Sequence, residues 1–172
     1  SLPSRGLGDV YKRQKDRTIE VDDALCVSNV DVSTGHVKFK GNVFVSGNIE
    51  PGMVVKATGS ITVGGFIESA EVQAQGDIKV AKGIIGHTTK EGEPKSCKVF
   101  SKGSITASYA QNAELQTAGD IRFGVHSMSN EIRCGNNLIV MDSLKKHGTL
   151  SGGEAKVGGK AVSYTHLTLP TT

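Results

Sequence analysis

The sequence lacks any apolar run that approaches the length of a membrane span, so direct insertion into a membrane is not expected. Its three cysteines, Cys26, Cys97 and Cys134, are odd in number and far apart, and no Cys-x-x-Cys pair is present. This usage favours a reducing compartment and argues against a disulfide framework.

Familiar catalytic signatures are also missing. There is no Gly-x-x-x-x-Gly-Lys-Ser/Thr phosphate loop, no serine nucleophile elbow and no paired-carboxylate signature. Many glycines are present, but they do not open a helix as a nucleotide-binding loop would. The sequence predicts no enzyme activity, no catalytic residues, no cofactor and no metal.

The histidines give little support for a metal or acid-base site. None of His36, His87, His126 and His147 forms a pair at short ligand spacing. His87 lies near Cys97 in a polar stretch and is the one histidine that we would test. Lys145, Lys146 and His147 form a short basic run that we interpret as a solvated corner.

Both ends of the chain have an unusual composition. Residues Ser1–Gln14 and Val162–Thr172 can be encoded by one inverted DNA element that resembles the mosaic end of transposon sequencing adaptors. We expect both to be non-native tails and Lys15–Ala161 to be a fragment of a longer bacterial protein. Without these tails the formal net charge falls from +3 to +1. Nucleic-acid-binding domains usually show a clear basic excess, so a nucleic acid is not an expected partner.

The central part of the chain repeats. Aliphatic residues recur every six positions from Val37 to Ile67, and the series returns later as Ile132, Leu138, Leu144 and Leu150. A longer repeat unit contains this interval. It has the form aliphatic-x-small-x-Gly-(Asn/Asp/Ser)-aliphatic and occurs in "VKATGSI", "VQAQGDI" and "LQTAGDI". The glycines of these units are Gly41, Gly59, Gly76, Gly103, Gly119 and Gly135.

Short strands that end at glycines favour a solenoid. Within each run the side chains alternate, so Val55 points inward and Lys56 outward. Runs of three residues are too short for an ordinary sheet, but they suit a chain that turns at each glycine and stacks on its previous coil. We predict an all-β, single-stranded parallel β-helix, a solenoid with about 16–18 residues per coil. Glycine is expected to supply a turn conformation that a Cβ would resist, and the residue after it to favour the turn through its side chain.

The same pattern predicts which side chains are buried. One apolar column should contain Val55, Ile61, Ile67, Val72, Ile78, Ile105, Leu115, Ile121 and Leu138. Four neighbouring side chains, Lys56, Thr62, Lys79 and Arg122, should be exposed.

One interval in the repeat is longer than the others. About ten extra residues, within His87–Lys98, separate Gly76 from Gly103. Loops on a rigid scaffold often carry its function. We therefore take this loop as the candidate contact with a protein partner, through His87, Lys90, Glu91, Glu93 and Lys95.

With the repeat laid out, the sequence resembles the bacterial flagellar assembly protein A family. The matching stretches are "GNVFVSGNIEPGMVVKATGSITVGGFIESAEVQAQGDIKVAKGIIG", "SKGSITASYAQNAELQTAGDI" and "GTLSGGEAKVGG". The resemblance implies a right-handed β-helix in a larger cytoplasmic protein linked to flagellar assembly or its positioning. It implies no catalytic residues.

Two alternatives stay open. The stretch from Gly41 to about Gly86 is similar to the C-terminal β-helix of the septum-site inhibitor MinC, which implies a regulator of cell division. The six-residue interval also fits a hexapeptide-repeat acyltransferase, although the interval breaks between Ile67 and Val72. The favoured interpretation is a non-catalytic scaffold whose ligand is a protein partner or a second copy of the chain.

Overall fold

The computed structural model describes the backbone of residues 19–21, 24–87, 94–140, 149–163 and 166–167, and the side chains of residues 24–87, 94–140 and 154–161. The described residues form strands and turns and no helix. The strands are β1 (Ile19–Val21), β2 (Ala24–Val27), β3 (Val37–Phe39), β4 (Asn42–Val45), β5 (Val54–Ala57), β6 (Ile61–Val63), β7 (Ile67–Glu68), β8 (Glu71–Ala74), β9 (Ile78–Ile85), β10 (Cys97–Ser101), β11 (Ile105–Gln111), β12 (Ala113–Thr117), β13 (Ile121–Cys134), β14 (Leu138–Val140), β15 (Thr149–Val157), β16 (Ala161–Ser163) and β17 (His166–Leu167).

The strands stack into a solenoid with three faces and about seven turns. Face A carries β2, β4, β6, β14, β16 and the first residues of β9, β11 and β13. Face B carries β3, β5, β8, β10, β12 and the last residues of β13 and β15. Face C carries β7, β17, the remaining parts of β9, β11, β13 and β15, and isolated bridges at Val30 and Ile49.

All pairs between successive coils within the described residues are parallel, as the sequence predicted. The chain visits the faces in the order A, C, B, so the six-residue interval is the step from one face to the next. This pairing confirms the parallel β-solenoid. The right-handed sense of the coil stays a prediction.

The buried column is confirmed. The nine side chains predicted to be buried are all 0% exposed, and they belong to one continuous apolar core. Lys79 and Arg122 are exposed, whereas Lys56 and Thr62 point outward but are half-buried by their neighbours in adjacent coils. The alternation therefore predicted the direction of every one of these side chains.

The glycines between faces B and A are needed for a reason other than the predicted one. Of the six in the sequence unit, only Gly41 has a positive φ, of 139°. A Cβ at Gly59 would lie 2.9 Å from the carbonyl of Gly41, and one at Gly119 would lie 2.6 Å from the carbonyl oxygen of Gly103. Gly41, Gly59, Gly76, Gly103 and Gly119 stack directly on one another, and Gly135 packs in the same way on the carbonyl of Ala118. Close approach of the backbone between coils, rather than turn conformation, therefore excludes a side chain.

The polar residue after each of the first five glycines also forms a hydrogen bond to the next coil through its side chain. The Asn42 Oδ1 accepts from the Ser60 N–H (2.8 Å), and the Asp77 Oδ1 accepts from the Ser104 N–H (2.8 Å). The Asn137 Oδ1 extends this series to the Lys160 N–H (2.9 Å). We expected these side chains to favour their own turns; they instead form a ladder that satisfies corner N–H groups in the next coil.

At the corner between faces C and B, the residue with a positive φ is not a glycine in three of the coils. Ser69, Asn112 and Ser129 have positive φ values of 44°, 54° and 54°. Non-glycine residues adopt this left-handed conformation singly and at some cost. The sequence unit did not reveal this corner because no glycine marks it.

Replacing Gly119 with alanine tests the glycine stack. The new Cβ would meet the backbone of Gly103, which cannot move without shifting a whole coil, so we expect the free energy of unfolding to fall by about 1–3 kcal/mol. The measurement is urea denaturation followed by far-ultraviolet circular dichroism. Gly124→Ala is the matched control, because its Cβ would come no closer than 3.8 Å to Ser108 and should cost nothing. Equal losses in both variants would contradict the explanation by close approach.

The two ends of the stack differ. Strand β1 pairs antiparallel with β2, so it covers the first coil of face A. At the other end β16 and β17 continue the parallel stack by pairing with β14 and β15. These last strands include residues that we expect to be a non-native tail. Their pairing uses backbone groups, so it says nothing about the origin of the residues.

Candidate docking surfaces

The insertion predicted to contact a partner leaves the coil at the corner between faces C and B. His87 is exposed and Lys95 is half-buried, while Lys90, Glu91 and Glu93 lie outside the described residues. The Ser96 Oγ accepts from the His87 N–H (2.8 Å) and lies 3.1 Å from the Ser69 Oγ. These contacts hold the two ends of the insertion together on the preceding coil, so the core continues in register across it.

A second insertion was missed by the sequence analysis. Successive coil glycines Gly135 and Gly158 are separated by more residues than one coil needs, and residues 141–148 between them lie outside the described residues. The sequence pattern placed Leu144 in the series of aliphatic residues that recur every six positions and Lys145–His147 at a corner, and both lie in this stretch. The glycine spacing was the signal that could have found it.

The described histidines occupy three different environments. His36 accepts a hydrogen bond at Nδ1 from the Val54 N–H (3.0 Å), which makes it part of the coil contacts. His126 stacks on Tyr109 with 4.9 Å between ring centroids, and burial lowers its pKa. His87 is exposed. Within the described residues, no group of three or more His, Cys, Asp or Glu side chains could hold a metal ion.

The cysteines differ in burial and therefore in reactivity. Burial raises the pKa of Cys97 to about 11 and also raises that of Cys134, whereas Cys26 is partly exposed. Because the thiolate is the reactive form, we expect a thiol reagent at pH 8 to label Cys26 and to spare Cys97 until the domain unfolds. Mass spectrometry of labelled peptides, with and without urea, measures this. Labelling of Cys97 as fast as Cys26 in the native protein would contradict the buried position.

The same shift has a consequence for alkaline stability. The folded pKa of Cys97 lies above that of an ordinary thiol, so folding disfavours its thiolate. This group contributes its full stabilisation below pH 9 and loses it as the pH rises toward 11. The free energy of unfolding should therefore fall across this window.

Face B carries two parallel rows of outward side chains. The basic row, which is defined by one outward position in each coil, consists of Lys38, Lys56, Gln73, Phe100, Gln116, Arg133 and Lys156. The acidic row lies two residues earlier on each strand and contains Glu71, Lys98, Glu114, Glu131 and Glu154 from the third described coil onward. Neighbouring strands lie about 4.8 Å apart, so each row is a regularly spaced ladder.

A groove of about 1000 Å³ runs along face B between the basic row and the following corner. Its charged lining side chains are Lys38, Lys40, Lys56 and Lys102, and no acidic residue lines it. Small inward residues such as Ala57 and Ala74 form the floor, which explains the depression between the two rims. Among the described residues, none of the four lysines forms an ion pair.

Two smaller surface features lie on the other faces. On face C, Phe66 packs edge-on to Tyr109 (6.4 Å between centroids), and the Lys82 Nζ lies 5.4 Å from the Phe66 ring centre. Tyr109 covers Gly83, where a Cβ would collide with the phenol ring. On face A, Cys26, Phe44 and Thr62 line a shallow apolar depression.

The groove was missed by sequence reasoning, because its lysines are up to 64 positions apart along the chain. Only the coil register brings them together. Alignment of the repeat units by their glycines was the available signal: it places Lys38 above Lys56, and Lys40 and Lys102 at one corner.

Comparison with known families agrees with this architecture. The model of the flagellar assembly protein A beta solenoid domain matches residues 23–166. No curated protein and no solved structure gives a significant match. The described residues contain no helix that is long and apolar enough to cross a membrane. The match spans most of the chain and all the complete coils of the solenoid, and so the chain belongs to the flagellar assembly protein A β-solenoid domain family.

Proposed function

We propose that this domain is a non-catalytic, cytoplasmic scaffold that docks a protein partner during flagellar assembly or positioning. The observation that carries the proposal is the straight register of the coils. Outward side chains at equivalent positions repeat from coil to coil along each face, above a core whose largest residues are fully buried. Such a surface presents side chains at a fixed spacing, and a partner with groups at the same spacing can bind to it.

Family membership supports the flagellar part of the proposal. The family match extends well past Gly86, where the similarity to the septum-site inhibitor ends, so flagellar assembly is favoured over cell division. The insertion around His87 and the groove of face B are the two candidate places for the partner.

A genetic experiment tests the scaffold role. Deletion of the coding sequence in its flagellated host should reduce or misplace flagella, as counted by electron microscopy, and the wild-type gene should restore them. Normal flagella after deletion would contradict the flagellar role, and acyl transfer by the purified protein that His87→Ala abolishes would contradict the non-catalytic role.

Photo-crosslinking maps the face that the partner uses. Thr106, Gln111 and Gln116 belong to one turn of the coil and point outward on faces A, C and B. A benzophenone amino acid at each of these three positions therefore gives a matched set. We expect a crosslinked protein from Gln116 and not from the other two.

Replacement of the insertion by a short Gly-Ser turn tests the loop separately. Loss of the crosslink in a variant that still folds would place the partner contact in the insertion.

A further inference from the structure

We propose that the groove of face B binds an extended acidic segment of a protein partner, about six residues long and lying along the axis of the solenoid. This inference rests on the proposed docking function and names the ligand class and the site.

The charge of the groove indicates an anionic ligand. Lys38, Lys40 and Lys56 lie together on the first two described coils of face B, and Lys102 lies on the rim two coils further on. The lining contains no carboxylate, although the whole chain is nearly balanced in charge. At the end formed by Lys38, Lys40 and Lys56, an acidic side chain would meet several ammonium groups, and the acidic row begins only at Glu71 on the next coil.

The dimensions of the groove indicate an extended chain. Its lining spans five successive strands of face B, from β3 to β12. Four spacings of about 4.8 Å give a length of about 19 Å, which an extended peptide of about six residues fills. Gln73, Gln75 and Gln116 line the same groove and offer both donors and acceptors, as a peptide backbone requires.

The order of the side chains suggests the order within the ligand. Lysines dominate the end at Lys38 and Lys56, and the half-buried ring of Phe100 lies two coils further along the same row. Acidic residues followed by an apolar residue would match both parts.

The border of the groove favours a peptide over a nucleic acid. Glu71 and Glu114 lie on the same face, two residues from Gln73 and Gln116, which places them about 7 Å away along the strand. A nucleic acid carries a phosphate at every nucleotide and would be repelled along this whole row. The acidic residues of the proposed segment would instead lie at the end formed by Lys38 and Lys56, before the row begins at Glu71. Single-stranded nucleic acids also prefer several aromatic stacking platforms. Two phenylalanines line the groove, but Phe39 packs against the apolar core and only Phe100 belongs to the outward row.

Fluorescence anisotropy with the full chain tests the proposal. The probe is a fluorescein-labelled eight-residue peptide with four glutamates and one leucine, and the control peptide has glutamine in place of each glutamate. The acidic peptide should bind at least tenfold more tightly than the control peptide. The double variant Lys38→Glu/Lys56→Glu should weaken its binding at least tenfold, with unchanged circular dichroism.

The matched control is Lys79→Glu/Lys82→Glu, which makes the same charge change at two exposed lysines away from face B. It should change binding less than twofold. If the reversed groove fails to fold, Lys38→Ala/Lys56→Ala gives the same comparison with a smaller perturbation. Equal weakening by the groove and control variants would overturn the proposal, because it would show general attraction to a basic protein.

Two further outcomes would also overturn it. These are no binding of the acidic peptide, and tighter binding of a labelled oligothymidylate that the groove variant abolishes. The flagellar count after gene deletion is independent of this assay. If deletion removes flagella but the peptide does not bind, the scaffold role is supported and the groove proposal is rejected. If the peptide binds but flagella are normal after deletion, the groove proposal is supported and the flagellar role is rejected.

Discussion

Replacing Ile61 with alanine is expected to lower the free energy of unfolding by about 2–5 kcal/mol. Ile61 is fully buried and lies between Val43 and Ile78 in the column of face A. Its neighbours are held by hydrogen bonds to the coils on both sides, so the cavity cannot collapse without breaking the register. Chemical denaturation monitored by circular dichroism measures the loss.

The neighbouring residue provides the control. Thr62 is on the same strand and points outward, so Thr62→Ala should change the free energy of unfolding by no more than about 0.5 kcal/mol. A similar loss for both residues, or no loss for Ile61→Ala, would contradict the assignment of the two sides of this strand.

The second large effect is expected at Asn130, which is buried inside the coil. Its Oδ1 accepts from the Ala113 N–H (2.9 Å), and its Nδ2 donates to the Ala110 carbonyl (2.9 Å) and the Ser127 Oγ (2.8 Å). Asn130→Leu keeps the volume similar but leaves one buried N–H and one buried carbonyl without this partner. At about 1–3 kcal/mol for each unsatisfied group, we expect a loss of about 2–6 kcal/mol in urea denaturation.

Asn136 gives a matched comparison for this change. Its side chain is exposed and makes no hydrogen bond within the described part of the chain, so Asn136→Leu should leave stability almost unchanged. If Asn130→Leu were as stable as the wild type, the buried hydrogen bonds described above would have no energetic role.

Much of the core could be predicted because it depends on a short-range pattern. The step of six residues and the alternation within each run identify the inward side chains of all three faces, from Val37 on face B to Ile67 on face C. Both signals survive in the sequence because each coil must place an aliphatic side chain at the same point.

The roles of the corner residues could not be predicted in the same way. Gly119 and Asp77 stand at recognisable positions, but their contacts are with the adjacent coil, about 16–27 residues away in sequence. Asn130 is a further example. Together with Ser127 it takes the place of Ala113 and Ala110 in the coil before, and only the stacked register shows that these polar residues face each other inside the core.

The two candidate surfaces also differ in whether a short-range sequence pattern could predict them. A local irregularity in spacing revealed the insertion near His87, although Lys90, Glu91 and Glu93 lie outside the described residues, so its contact role stays a prediction. The groove needs the alignment of five strands that are distant in sequence. A list of lysines along the chain does not distinguish Lys56, which lines it, from Lys79, which does not.

The stacking of parallel strands has a mechanical consequence. The hydrogen bonds between coils run along the axis, while each strand runs across it. A force that pulls the first and last coils apart therefore breaks the hydrogen bonds between coils one after another, instead of shearing many of them at once. A coil of 17 residues, such as that from Ile61 to Ile78, would release about 60 Å of extended chain when it peels away. The coil that contains the insertion after His87 would release about 90 Å, because about 27 residues separate its ends at Ile78 and Ile105. A domain of this kind yields stepwise when stretched end to end and resists bending by a partner pressed against a face.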